Sequence, residues 1–462
     1  MKIILMIFAF SIKTNIYSQV QFNTHLIFTG SGGGETQSVC AADFDGDGDI
    51  DVLSGGISGI YLYENDGNQN FNHINIGAGT DISKVFSIDI DSDDDIDVVF
   101  ADFGRDLIAL LKNDGDSNFT VDTIYVILND ALWADVYAID FDTDGDIDVI
   151  STYSGGTGAG HIVWHENDGN ESFTHHTVFS LSARSIYPVD LDGDDDMDVI
   201  AAHWQTNNTI SWYENDGNEN FTWHIIDGGY NLGNSIHAAD VDDDGDIDVI
   251  SGEWQTLPGT FWYENNGAES FTKHSISLTG TSSVYPIDIE GDGDLDVISA
   301  DFGNKVTIYE NDGNQIFTEN IIGGGPASQS VYPIDVDGDG DIDVVSAFSN
   351  GTQSAIFWHE NQTIVGINDS KIQTPTLISL DQNYPNPFNP NTTISYSIPK
   401  RTNTKIIILD VLGREITTLV NEDKSPGSYE IRFNASNLSS GIYFYQLKAE
   451  QHIISKKMIL LR

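Results

Sequence analysis

The chain has 462 residues, enough for two or three domains, and 39% hydrophobic with 11% aromatic content excludes a disordered acidic tail despite a formal net charge of −53. That charge sits in residues 19–370, with 6 Lys/Arg against 65 Asp/Glu; residues 371–462 hold 11 against 7, so composition divides the chain near residue 370. The acidic part repels phosphates, which excludes nucleic acid as a partner, and a single cysteine, Cys40, excludes an internal disulfide.

The chain begins Met1-Lys2 followed by the apolar run IILMIFAFSI. A basic start and a run this short predict a signal peptide over residues 1–18, cleaved near Tyr17-Ser18-Gln19, rather than a membrane span. Export of this kind places the protein outside the cell. Cys40 is then expected to be a small buried apolar side chain, and stapling must come from something other than disulfides.

From Asp43 onward an aspartate-dense nonamer recurs seven times, starting at Asp43, Asp89, Asp140, Asp190, Asp240, Asp288 and Asp335. Intervals of 46 to 51 residues mark an array of supersecondary units. Alternate positions carry the carboxylates. They are Asp43, Asp45, Asp47, Asp49 and Asp51, then Asp89, Asp91, Asp93, Asp95 and Asp97, then Asp140, Asp142, Asp144, Asp146 and Asp148. The fourth and fifth sets are Asp190, Asp192, Asp194, Asp196 and Asp198, and Asp240, Asp242, Asp244, Asp246 and Asp248. Asp288, Glu290, Asp292, Asp294 and Asp296 form the sixth, and Asp335, Asp337, Asp339, Asp341 and Asp343 the seventh.

Position 6 is Gly48, Gly145, Gly245, Gly293 or Gly340 in five loops, and Asp94 or Asp195 in two, which predicts positive φ there. Hard oxygen donors converging from one tight turn, with a carbonyl near position 7, suit Ca2+ better than Mg2+ or Zn2+. An EF-hand is excluded: its position 12 needs Glu, and Ser54, Phe100, Ser151, Ala201, Ser251, Ser299 and Ser346 stand there. About seven calcium ions, one per unit, are expected as staples.

In the sixth unit, SVYPIDIE (283–290) leads into the loop and DVISAD (296–301) leads out. VTIYEN (306–311), an Asn-Asp-Gly hairpin and IFTENII (316–322) complete four short strands, one propeller blade. The seventh unit stops after HEN at 359–361, lacking its fourth strand. QFNTHLIFTG (21–30) resembles the fourth-strand segment NFNHINIGAG (70–79) and precedes the first loop. It is predicted to complete the last blade and close the ring, removing the edges of an open array.

The loop pattern D-x-D-x-D-G-x-x-D followed by an apolar strand resembles the FG-GAP/VCBS calcium-binding propellers, including the integrin α-subunit head, over residues 21–361. The sequence departs from it at Glu290 and in having Asp at every position 7.

If the loops join strands 1 and 2, the opposite face carries the ends of the second strands. There Asp102-Phe103, His203-Trp204, Glu253-Trp254 and Asp301-Phe302 pair a polar residue with an aromatic. These eight residues are candidates for stacking on a sugar or gripping a peptide; packing between blades is the plainer account. Trp164, Trp212, Trp262 and Trp358 alternate within third strands and are expected in the core. No G-x-S-x-G, H-E-x-x-H or phosphate-binding glycine loop occurs, so no catalytic residue is assigned.

After a polar linker at 362–381, prolines 385, 387 and 390 forbid helix, and strands are predicted at 406–420, 427–436, 441–450 and 454–462. YPNPFNP, LDVLGRE, SSGIYFYQL and the terminal KKMILLR resemble the type A C-terminal sorting domain of type IX secretion. The resemblance implies Sec export, partnership with the outer-membrane translocon and its sortase, and release or surface attachment.

The sequence therefore predicts an all-β chain. A seven-bladed β-propeller over 19–361, closed by an N-terminal strand, is followed by a small Ig-like β-sandwich over 382–462. The expected function is secreted or cell-surface, calcium-stabilised adhesion or binding of a glycan or extracellular protein. The alternative is a secreted glycan-active enzyme, such as a polysaccharide lyase, on the same scaffold.

Overall fold

A computed structural model of the chain describes residues 20–362 and 379–460. Excepted in the first span are 32–35, 116, 128–130, 156–159, 204–208, 229–232, 255–257, 269 and 326. Excepted in the second are 381–387, 389, 399, 401, 410–413, 425–426, 436–437, 439–440 and 450–451. The expected signal peptide, most of the linker, most of YPNPFNP and Trp204 lie outside the described residues. Two compact units separate at Val365/Gly366.

The first unit contains seven four-stranded antiparallel sheets. Blade 4 shows the plan: Ala183–Val189, Asp198–His203, Thr209–Asn215 and Phe221–Gly228 lie side by side in chain order. First strands of successive blades touch around the ring, and the first strand of blade 7 closes it against that of blade 1. Blade 7 takes Ser328–Ile334, Asp343–Ser349 and Gln353–Asn361 from one end of the unit. Its outer strand, Phe22–Ser31, comes from the other end and pairs antiparallel with Gln353–Asn361. The N-terminal strand is thus the latch that the sequence predicts.

In blades 1, 2, 4, 5, 6 and 7 the second strand is buried along its whole length, because it is covered by neighbouring blades on both sides. Fourth strands form the wet rim. The core accordingly lies between blades. Phe141, Ile150 and Trp164 of blade 3 pack on Ile186, Ala201 and Tyr213 of blade 4. Trp164, Trp212, Trp262 and Trp358 are all buried.

One side chain from each first strand contributes to a ring of neighbours. Phe86, Tyr137, Tyr187, His237, Tyr285 and Tyr332 follow one another with ring centroids 4.1 to 6.3 Å apart. Cys40 holds the equivalent place in blade 1, buried, its thiol pushed up to about 12 by burial. Two residues earlier, a side-chain oxygen repeatedly accepts the next blade's backbone N–H. Val85 donates to Ser38, Ile186 to Asp135, Ile236 to Ser185, Val284 to Ser235, and Val39 to Ser330 across the closure.

The second unit is a two-sheet sandwich. Ser379–Leu380, Asn391–Ile398 and Gly427–Asn434 form one sheet. Glu415–Lys424, Thr402–Leu409, Gly441–Ala449 and His452–Leu460 form the other. Its core joins Ile394, Tyr396 and Phe433 of the first sheet to Ile406, Ile408, Tyr445 and Met458 of the second. The segment 406–420, predicted as one strand, belongs to two: Thr402–Leu409 and Glu415–Lys424 pair antiparallel. Residues 410–413, between them, lie outside the described residues.

Candidate cation sites and the opposite face

Each acidic nonamer joins the first strand of its blade to the second, and backbone N–H groups shape it. Position 1 accepts from position 6 at 2.9–3.1 Å in every loop, as in Asp43 Oδ2 with the Gly48 N–H. Position 5 accepts from position 7, as in Asp47 Oδ1 with the Asp49 N–H at 3.0 Å. Position 6 has φ of 96–103° at its five glycines, and 75° and 74° at Asp94 and Asp195. Position 4 is left-handed as well, at Gly46, Ser92, Thr143, Gly193, Asp243, Gly291 and Gly338.

Position 9 faces inward. Asp51, Asp97, Asp148, Asp198, Asp248, Asp296 and Asp343 are buried. Each Oδ2 accepts the N–H of position 2 at 2.9–3.3 Å. Each Oδ1 accepts the N–H of the hairpin asparagine (Asn65, Asn113, Asn167, Asn215, Asn265, Asn311, Asn361) at 2.7–2.8 Å. Burial raises these carboxyls, Asp51, Asp198 and Asp343 to about 7. Position 7 lies over the hairpin glycine of its own blade: a side chain on Gly67 would collide with the Asp49 carboxylate, and one on Gly217 with Asp196.

Carboxylate oxygens of Asp43, Asp45 and Asp51 gather within 4.8 Å, as do those of Asp89, Asp91 and Asp97, and of Asp240, Asp242 and Asp248. In blades 3 and 4 the trios are Asp140, Asp142 and Asp144, and Asp190, Asp192 and Asp194. Four loops leave a buried carboxylate oxygen with no hydrogen-bond partner: Asp91 Oδ1, Asp140 Oδ1, Asp242 Oδ1 and Glu290 Oε2. Buried carboxylate oxygens without donors are costly unless a cation meets them, and all-oxygen donors fit a hard ion. The residues present therefore fit calcium. Position 3 carboxyls such as Asp45 and Asp242 are held above their usual range by burial and then by neighbouring carboxylates, both of which a bound cation offsets.

An FG-GAP-like repeat profile matches residues 43–100, 140–201, 190–251 and 288–346, each match running from one acidic loop into the strand after the next. A secretion system C-terminal sorting domain matches residues 382–461. The chain is an FG-GAP-repeat propeller that ends in a secretion sorting domain. The sorting domain indicates export by type IX secretion to the cell surface or extracellular space, and interaction with that machinery.

No curated protein matches the chain significantly. Among solved structures, BBS1N in complex with ARL6DN is 10% identical with TM-score 0.52, over 73% of this chain and 97% of its own. That likeness shows the propeller fold alone. An Agrocybe aegerita lectin that recognises non-reducing terminal N-acetylglucosamine is 18% identical (TM-score 0.47), over 71% of this chain and 86% of its own. PorZ, a surface component of the Porphyromonas gingivalis type IX system, is 14% identical (TM-score 0.44), over 95% of this chain and 61% of its own.

The FG-GAP repeats carry two features that the sequence reading missed. The hairpin asparagine, read only as a turn residue, also donates through its side chain to the position 8 carbonyl, as in Asn215 to Met197 at 3.1 Å. Asn113, Asn265, Asn311 and Asn361 reach a carbonyl of a preceding blade as well. Its recurrence at a fixed offset from the loop was the available signal. The second feature is the glutamate just before it. Glu64, Glu166, Glu214, Glu264, Glu310 and Glu360 add negative charge beside position 3 of their own loops. A histidine holds four of them: His176 to Glu166, His224 to Glu214, His274 to Glu264 and His25 to Glu360, at 2.6–2.8 Å. Each of these histidines stacks on the third-strand tryptophan.

On the opposite face, the polar member of each candidate pair points into the blade. Asp102 accepts N–H groups of Thr80 and Arg105. His203 donates from Nδ1 to the Ser182 carbonyl and accepts the Tyr213 hydroxyl at Nε2, 2.8 Å away. Glu253 takes the Tyr263 hydroxyl and Lys273. Asp301 takes Thr307, Ser299 and Thr281. Of the described aromatics, Phe103 packs on the core between blades 2 and 3. Trp254 and Phe302 stack at 4.9 Å and 24° across blades 5 and 6, with Trp254 39% exposed. Among the described residues no helix is long and apolar enough to cross a membrane.

Proposed function

We propose that this is a noncatalytic, calcium-stapled propeller, exported past the outer membrane, whose face opposite the acidic loops binds a glycan or an extracellular protein. In this reading residues 1–18 are a Sec signal peptide, 19–361 the propeller, 362–381 a linker and 382–462 the sorting domain. Carboxylates at loop positions 1 and 3, joined by position 5 or position 9, and a carbonyl near position 7 hold each ion, and position 9 also ties the loop to the hairpin. The ion supplies positive charge to crowded carboxylates and so couples metal binding to folding. The observation that carries the calcium reading is the set of partnerless buried oxygens on Asp91, Asp140, Asp242 and Glu290.

The ligand reading rests on the Trp254–Phe302 stack, an apolar plate whose Trp254 is exposed. The deciding experiment screens the purified propeller against arrayed glycans and matrix proteins, with calcium and with chelator. Saturable binding that weakens on Trp254→Ala supports the proposal. Depolymerisation of an arrayed polysaccharide would replace it with the enzyme reading, and no binding to either array would leave a structural spacer.

A further inference from the structure

Blade 2 breaks the repeat at one place that matters for a cation. Its third strand pairs Lys112 with Thr120, in the register where Glu166, Glu214, Glu264 and Glu310 pair with Thr174, Thr222, Thr272 and Thr318. A positive group thus stands where other loops receive a carboxylate. Lys112 Nζ lies 3.0 Å from Asp91 Oδ2, the position 3 carboxylate, and 2.5 Å from Glu171 Oε1 on the hairpin of blade 3. Asp91 Oδ1 stays buried and partnerless, so the loop keeps a place for an ion.

We propose that Lys112 makes the blade 2 loop the weakest cation site of the propeller, the last to fill and the first to empty, with its ammonium holding Asp91 in place when no ion is bound. The inference rests on the calcium reading above. Its physical basis is charge: exchanging a glutamate for a lysine changes the local charge by two, as much as a calcium ion carries, and the ammonium repels the ion from the carboxylate they would share. The tie to Glu171 fixes the lysine across the interface between blades 2 and 3, so it cannot swing clear without breaking an ion pair.

The test counts bound calcium per chain of the metal-depleted protein at stepped free calcium, for wild type, Lys112→Gln and Glu214→Lys. Wild type is expected to take its last ion at free calcium at least tenfold above the others. Lys112→Gln should abolish that late step, and Glu214→Lys should create a second one, which keeps the test decisive if either variant fails to fold. A single class of sites in wild type, or a late step untouched by Lys112→Gln, overturns the inference and leaves the calcium reading standing. No bound calcium in any chain overturns the calcium reading itself.

Discussion

The Asn215 backbone N–H donates to Asp198 Oδ1 at 2.7 Å, tying the acidic loop of blade 4 to the hairpin between its third and fourth strands. Asp198 Oδ2 meanwhile accepts the Leu191 N–H at 3.1 Å. One buried carboxylate therefore satisfies two backbone donors that have no water to turn to, and the same pair of bonds recurs in all seven blades.

Asp198→Ala should be strongly destabilising even without metal, because it strands both donors. At about 1–3 kcal/mol per stranded donor the loss is roughly 2–6 kcal/mol, read by urea unfolding. Asp194→Ala, at the exposed position 5, should cost far less in metal-free protein. Equal losses for the two variants would mean that position 9 is an ordinary ligand and not a lock.

Thr143 sits at loop position 4 with φ of 62°, where four other loops use glycine. A β-branched residue is poorly suited to that region, at about 1–2 kcal/mol for the left-handed conformation. Thr143→Gly should stabilise the protein by about 0.5–1 kcal/mol once the greater freedom of the unfolded chain is subtracted. Gly193→Thr should lose a similar amount. A neutral or destabilising Thr143→Gly would show that the Thr143 side chain does something for the loop that its backbone does not reveal.

The blade count, the latch strand and the left-handed position 6 were legible because they are written at a fixed period along the chain. The position 9 lock was not, since Asp198 and Asn215 are brought together only when the third strand folds back on the second. The ring of first-strand side chains was hidden for a related reason: Tyr187 and His237 meet through space from different blades, and each reads locally as one more alternating strand residue. Lys112 stands just before an Asn-Asp-Gly hairpin in the sequence, but the register shows that it replaces a glutamate.

Ring closure should fail if the latch is removed. Phe22–Ser31 covers the edge of Gln353–Asn361, and Phe28 stacks on His73 of blade 1 at 4.5 Å and lies 5.4 Å from Tyr63. Deleting residues 20–31 exposes an unpaired edge and should produce self-association on size-exclusion chromatography. Phe28→Ala keeps the edge paired but loosens the seam with blade 1, costing about 2 kcal/mol for a half-buried ring. A monomeric, undiminished deletion variant would remove the latch from the account.

Metal removal should lower the melting temperature. Each occupied site contributes about 1.4 kcal/mol at ten times its Kd, and several sites add. Chelation followed by calorimetry should show a drop that calcium restores and magnesium restores poorly. A melt indifferent to chelator would sink the stapling role.

Acid should destabilise the propeller through histidines that are buried neutral. His203 is fully buried, and burial pushes it down to about 4, so it stays uncharged in the fold while the unfolded chain protonates near 6.5. A depressed folded value means that the unfolded state binds more protons between those two values. The contribution is therefore fully present above pH 6.5 and is lost as pH falls toward 4, on the order of 3 kcal/mol at the limit. His203→Gln retains a donor for the Ser182 carbonyl and an acceptor for the Tyr213 hydroxyl but cannot titrate. Its unfolding free energy should fall less steeply than that of wild type between pH 6.5 and 4, at fixed calcium. Parallel slopes would place the acid sensitivity in some group other than His203.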